Sequence, residues 1–232
     1  MCFAPEADAL VGGLILGVGV DALRHVGSPK QVALAALPLL FGLHQLSEAF
    51  VWWGLQGHVP TWVERVTVWI WLLFAFVALP VLLPIAVDLV ERSKPRRRVI
   101  SAFAGLGVAV AVALAIGIFR GPIGAEIEGH HVAFQVDAVS RGGLLTTLYV
   151  VATCGALLAC SYREIAAIGV LNLIAVPVLM WLTVSGFVSL WCFWAAIVSI
   201  VIASHLRRVA STRDAGRDER LRTTSGAGSR PA

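Results

Sequence analysis

Seven stretches of uninterrupted apolar character punctuate the chain, at about 6–23, 32–56, 66–88, 99–119, 143–161, 165–184 and 187–206. Each has the length of about 20 residues that carries an α-helix across a ~30 Å hydrocarbon core. The pattern therefore predicts an all-α, polytopic membrane protein of seven transmembrane helices. Pro5 and Glu6 fit the start of the first helix. No Lys or Arg precedes that stretch, so it is expected to be a retained helix and not a cleaved signal. Pro80 and Pro84 each remove an N–H from the third stretch and should kink its later half. Ser185-Gly186 is nearly all that separates the last two stretches, which predicts an antiparallel helical hairpin. Between the fourth and fifth, residues 120–142 form the one long connection. Its Gly129-His130 turn signal is followed by Val132, Phe134 and Val136 in alternation, which predicts a short β-hairpin on the outer face.

Composition agrees with a membrane chain. Of the 232 residues 58% are hydrophobic and only 14% charged, about half the charged share of a soluble domain. Mean hydropathy is +0.84. The net charge of +4 raises nucleic acid as a partner in a soluble protein. Here the basic residues sit in short clusters between apolar runs, which points to the lipid bilayer and anionic lipid headgroups, not nucleic acid.

The same cations orient the chain. Fifteen Lys and Arg fall in 24–31, 89–98, 162–164 and the segment from 207, against three (Arg65, Arg120 and Arg141) in the other connections. This predicts an N-terminus outside, a C-terminus in the cytoplasm and residence in the plasma (inner) membrane. Residues 1–206 form the expected transmembrane domain. The Arg-rich tail 207–232 has no apolar face to bury and is expected to be disordered.

The second stretch carries the densest chemistry. His44, Glu48 and Trp52 recur at i, i+4 and i+8 and share one helix face, with Gln45 adjacent. A carboxylate at this depth costs a few kcal/mol unless it has a partner, a proton or a water-filled cavity. It serves either as a polar clamp between helices or as a proton relay, a ligand-binding carboxylate or half of a metal site. In the predicted orientation all eight tryptophans lie toward the outer half, where a belt alone would occupy both interfaces. One reading is an outward-facing, aromatic-walled pocket with His44 and Glu48 at its floor; the other is an asymmetric belt with core packing. Trp191 and Cys192 of the last stretch, and Cys2 at the chain start, are the further candidates for that ligand- or proton-binding set. Cys2 next to a free amine has the donors to chelate a metal or act as a nucleophile, though packing at the helix start suffices for it. Asn172, midway along the sixth stretch, fits an interhelical hydrogen bond. A retinal Schiff base inside the bundle is not expected, because the two lysines, Lys30 and Lys94, both fall in cytoplasmic connections.

The opening Met1-Cys2-Phe3, followed by LAALPLLFGLHQLSEAFVWWGL, resembles an uncharacterised bacterial membrane family. Its members open Met-Cys-Phe-Ser-Ala and carry a Gln-Gln-x-x-Glu-Gly-x-x-Trp-like segment in the second span. The resemblance spans the seven stretches and not the tail, and implies that Cys2, Glu48 and Trp52 stand at the family's characteristic positions. Ala4-Pro5 replaces the usual Ser-Ala, and His44 stands where the family often has Gln, which weakens a metal role for His44. No activity comes with the resemblance. The functional expectation is therefore an ion- or small-molecule-binding or transport protein. The alternatives are an intramembrane metal-dependent hydrolase and a structural or regulatory membrane protein. The hydrolase is the poorer of these, because the last stretch offers only His205, at its cytoplasmic end.

Overall fold

Helix α1 (Pro5–Arg24) starts on a proline whose missing N–H costs nothing in the first turn, with Glu6 and Asp8 beside the positive end of the helix dipole. In a computed structural model of the chain, which describes residues 4–129, 131–136, 143–182, 194 and 197–212, the described parts of the remaining apolar stretches are also helical. A short 3₁₀ turn (Pro29–Gln31) leads into α2 (Val32–Leu55). Next come α3 (Thr61–Leu73), a π-helical turn (Phe74–Ala78) and α4 (Leu79–Val90), which together make one continuous rod. Helix α5 (Lys94–Arg120) is followed by β1 (Ile123–Glu128) and β2 (His131–Val136), then α6 (Gly143–Ala159), α7 (Arg163–Leu182) and α8 (197–212).

Among the described residues three helical stretches, Pro29–Leu55, Thr61–Val90 and Lys94–Arg120, are long and apolar enough to cross a membrane, and Gly143–Ala159 is a shorter apolar helix. The strands form an antiparallel hairpin pairing Ile123 with Val136 through Glu128 with His131, and Gly129 turns the corner at φ +61. Helix α8 runs through residue 212, six residues into the segment read as a tail. Arg207 of α8 pairs with Asp21 of α1 at 2.6 Å, and Arg208 approaches Glu164 at the start of α7. The Ser185-Gly186 connection and residues 213–232 lie outside the described residues.

Small residues set the spacing of α1 and α2. Asp8, Gly12, Ile15, Gly19 and Ala22 form one buried stripe at three- and four-residue intervals. A side chain at Gly42 of α2 would stand 2.8 Å from the backbone nitrogen of Leu16, and one at Gly19 would run into Leu39. Such close approach is how helices associate where water supplies no driving force.

The prolines of α4 act through the backbone ladder. Leu79 N–H reaches back to the carbonyl of Phe74, five residues away. In that register the carbonyl of Ala75 would look to residue 80, and Pro80 has no N–H. The hydroxyl of Tyr149, from α6, donates to Ala75 O at 2.9 Å and fills the gap. Pro84 likewise cannot serve the carbonyl of Pro80, and that oxygen faces α5 at Gly107, where any Cβ would collide with it. In place of a sharp break at the prolines the rod carries a wide turn, whose freed Ala75 acceptor is met by Tyr149 of a neighbouring helix.

Two apolar clusters result. The larger joins Leu34, Leu37 and Phe41 of α2 to Leu83 and Val87 of α4 and to residues of α1, α5, α6, α7 and α8. The smaller joins Val51 and Trp52 of α2, Trp71 and Leu72 of α3, Ile118 of α5, and Val132 and Val136 of the hairpin. On α2 the polar run 44–48 lies between them.

Candidate functional site

Glu48 is fully buried, at 0% exposure, in the middle of α2. The indole N–H of Trp71 donates to its Oε2 at 3.2 Å. Trp71 is itself completely enclosed. Its ring stacks on Phe134 of the hairpin at 3.7 Å with planes 9° apart, and lies 4.9 Å from the imidazole of His44. The ring of Phe74 also packs against that imidazole, at 4.7 Å. The hairpin therefore bears through Phe134 and Trp71 directly on the carboxylate.

Gln45 shares the face of Glu48, three residues back. Its side-chain N–H donates to Asp8 Oδ1 at 2.6 Å across the α1–α2 contact, with both residues 1% exposed. Two acids from different helices thus meet one polar layer. One turn below and one turn above Glu48, His44 Nδ1 and Trp52 Nε1 are buried and have no hydrogen-bond partner among the described residues. An orphaned buried polar atom costs about 1–3 kcal/mol, so this layer has unused capacity to hold a polar guest.

Of the residues singled out from sequence, His44, Glu48 and Trp52 are brought to this layer. Cys2, Trp191 and Cys192 lie outside the described residues. The side chain of Trp71, itself fully buried, lies against both Glu48 and His44. Sequence reasoning missed Asp8 as a participant, and it took Trp71 as part of an aromatic wall without pairing it with Glu48. Asp8 reads as a dipole-stabilising acid of the first turn, but its place at the head of the 8-12-15-19-22 stripe is a signal that it faces α2. Among the described residues no group of three or more His, Cys, Asp and Glu side chains stands ready to hold a metal. His131 lies 3.8 Å from Glu128, and His58 is exposed. Asn172 accepts the indole N–H of Trp194 at 2.6 Å, an interhelical bond of the kind its position predicts.

The opposite end of the bundle is held by polar contacts among connections. Glu91, 5% exposed, accepts from the N–H of Ser93 at 2.7 Å, the N–H of Ser161 at 2.6 Å and the Ser161 hydroxyl at 2.7 Å. Burial pushes its carboxyl up, but these donors outweigh burial and hold it below its ordinary value. Arg96 caps the end of α6 by donating to the carbonyls of Ala159 and Cys160.

No curated protein and no solved structure matches the chain. A family model described as a family of unknown function, DUF6629, matches residues 1–217. That range takes in the Met-Cys-Phe opening, the second-helix motif and part of the segment beyond 206. The chain belongs to this family of unknown function, DUF6629.

Proposed function

We propose that the protein is a seven-span protein of the plasma membrane, with its N-terminus outside and its C-terminus in the cytoplasm. Its working part is an occluded acidic centre, formed by Asp8, Gln45 and Glu48, that takes up a proton or a small monovalent cation. The observation that carries this reading is the buried layer itself. A fully enclosed Glu48 is flanked by His44 Nδ1 and Trp52 Nε1, both without a hydrogen-bond partner among the described residues, and a second enclosed acid is tied in through Gln45. Ionisable groups inside a membrane-embedded bundle are costly and mark ion or proton sites. Trp71 and Phe134 would act as the gate, since they cover Glu48 from the hairpin side.

The topology draws support from the clustering of basic connections. Lys30, Arg92, Lys94 and Arg97 line one crevice, Arg96 reaches the end of α6, and Arg207 reaches the end of α1. The hairpin belongs to the other end, against Trp71. Reporter fusions after residues 58, 94, 130 and 210 should read out, in, out and in; an inside signal at 130 overturns the orientation.

Trp71 supplies the optical test of the centre. In detergent-purified protein, its emission is isolated as the difference between wild type and Trp71→Phe. That emission should titrate with pH or with sodium in the wild type and stay flat in Glu48→Gln. A Glu48→Gln protein that titrates like wild type overturns the acidic-centre reading.

A further inference from the structure

At the end of the bundle away from the hairpin, a crevice of about 420 Å³ opens between the α1–α2 connection, the α4–α5 connection, the α6–α7 connection and α8. Small-molecule sites begin at about 300 Å³. Four cations from two separate connections line it: Lys30, Arg92, Lys94 and Arg97. Tyr162 and Ser28 add hydroxyls to the wall.

The local carboxylates are already engaged. Asp88 holds Arg97 at 3.1 Å, and Glu91, which also lines the crevice, accepts from Ser93 and Ser161. Lys30, Arg92 and Lys94 have no carboxylate within ion-pairing distance among the described residues. The 27-residue α5 also begins at this crevice, and Ser93 at its start makes no side-chain cap, so the positive end of the helix dipole adds to the field. The floor is apolar, made by Leu34, Leu89, Val90 and Leu206.

We propose that this crevice is a binding site for a phosphoryl group. Convergent Lys and Arg with hydroxyl donors and a helix start match the charge and the acceptor-only chemistry of phosphate. The phosphoryl group is borne either by a soluble phosphate or by the headgroup of an anionic phospholipid. The site is separate from the acidic centre and stands whether or not that centre binds a cation.

The test uses the full chain in neutral detergent, with binding read by calorimetry and by the shift in melting temperature. The probes are inorganic phosphate, dioctanoyl phosphatidic acid and dioctanoyl phosphatidylcholine. Saturable binding of phosphate supports the site with a soluble source. Saturable binding of phosphatidic acid without phosphate binding supports it with a lipid source. Binding of neither, or equal binding of phosphatidylcholine, overturns it. The combined variant Lys30→Gln, Arg92→Gln, Lys94→Gln changes only exposed side chains and should weaken binding on the order of tenfold or more. A control with Arg24→Gln, Arg98→Gln and Arg163→Gln removes the same charge from exposed positions outside the crevice and should bind as wild type. Equal loss in both variants reduces the effect to overall charge and overturns the site.

Discussion

Replacing Tyr149 by Phe removes one oxygen and leaves the ring. In the wild type that oxygen is the donor to Ala75 O at 2.9 Å, where the π turn and Pro80 have withdrawn the usual backbone partner. Losing it forfeits a hydrogen bond and leaves a carbonyl inside an apolar bundle, which together cost about 1–3 kcal/mol. For a chain of this size, that lowers the melting temperature by roughly 2–10 °C. The reasoning assigns the vacancy to Pro80, so it makes a sharper claim about a double-mutant cycle. In a Pro80→Ala background, residue 80 regains an N–H that can serve Ala75, and Tyr149→Phe should then cost less than about 1 kcal/mol. The cycle is measured by thermal or denaturant unfolding of four purified proteins in one detergent, with helix content checked by circular dichroism. Equal cost of Tyr149→Phe in both backgrounds would refute the account of the wide turn.

Gly107→Ala should destabilise by about 1–3 kcal/mol, because its Cβ meets the Pro80 carbonyl. Gly105→Ala, where nothing stands within 4 Å, should be neutral or stabilise by up to about 1 kcal/mol; comparable losses at both positions would count against the close α4–α5 contact. Glu48→Gln retains an acceptor for Trp71 and should cost about 1 kcal/mol or less, whereas Glu48→Ala leaves both the indole N–H and a cavity and should cost about 2–4 kcal/mol. Melting temperatures of the two variants settle the order. Glu91 is held below its ordinary value of 4.5. Its ionised form therefore adds stability that is fully present above about pH 4.5 and drains away as pH falls through its lower folded value. Glu91→Gln should flatten that part of the stability–pH curve, and an unchanged acid limb would show that the Ser93–Ser161 clasp does not carry it.

Apolar length and turn chemistry made the helices and the hairpin legible before any coordinates. The ends of α2, α5 and α6 fall within a few residues of where the hydrophobic pattern stops, except where Lys94–Arg98 extend α5 through a charged first turn. Glu48 was legible as buried because a lone acid in so apolar a run has few other options. Its surroundings were not. The approach of Asp8 depends on how α1 lies on α2, and Trp71 reaches Glu48 across 23 positions of sequence. The wide turn was hidden for another reason: Val68, Leu72, Ala75, Leu79, Leu83 and Ala86 keep an unbroken helical spacing, so nothing in periodicity marks a change of hydrogen-bond register. The basic crevice was equally invisible. Each cationic cluster taken alone reads as a lipid-facing loop, and only the tertiary fold brings them to one crevice.

The Asp8–Gln45 bond bears on biogenesis in the proposed membrane setting. Helix α1 carries Glu6, Asp8 and Asp21, and Asp8, in its first turn, ends up enclosed at 1% exposure, where an acid without a partner is costly. The group that relieves Asp8 sits on α2, 37 residues later, and reaches it only once Gly12, Gly19 and Gly42 have let the two helices close. In that setting the first helix on its own would be the weaker membrane client, and its commitment would wait for the second. A nascent chain stopped before residue 45 should then remain extractable by alkali, while one that includes residue 58 should not.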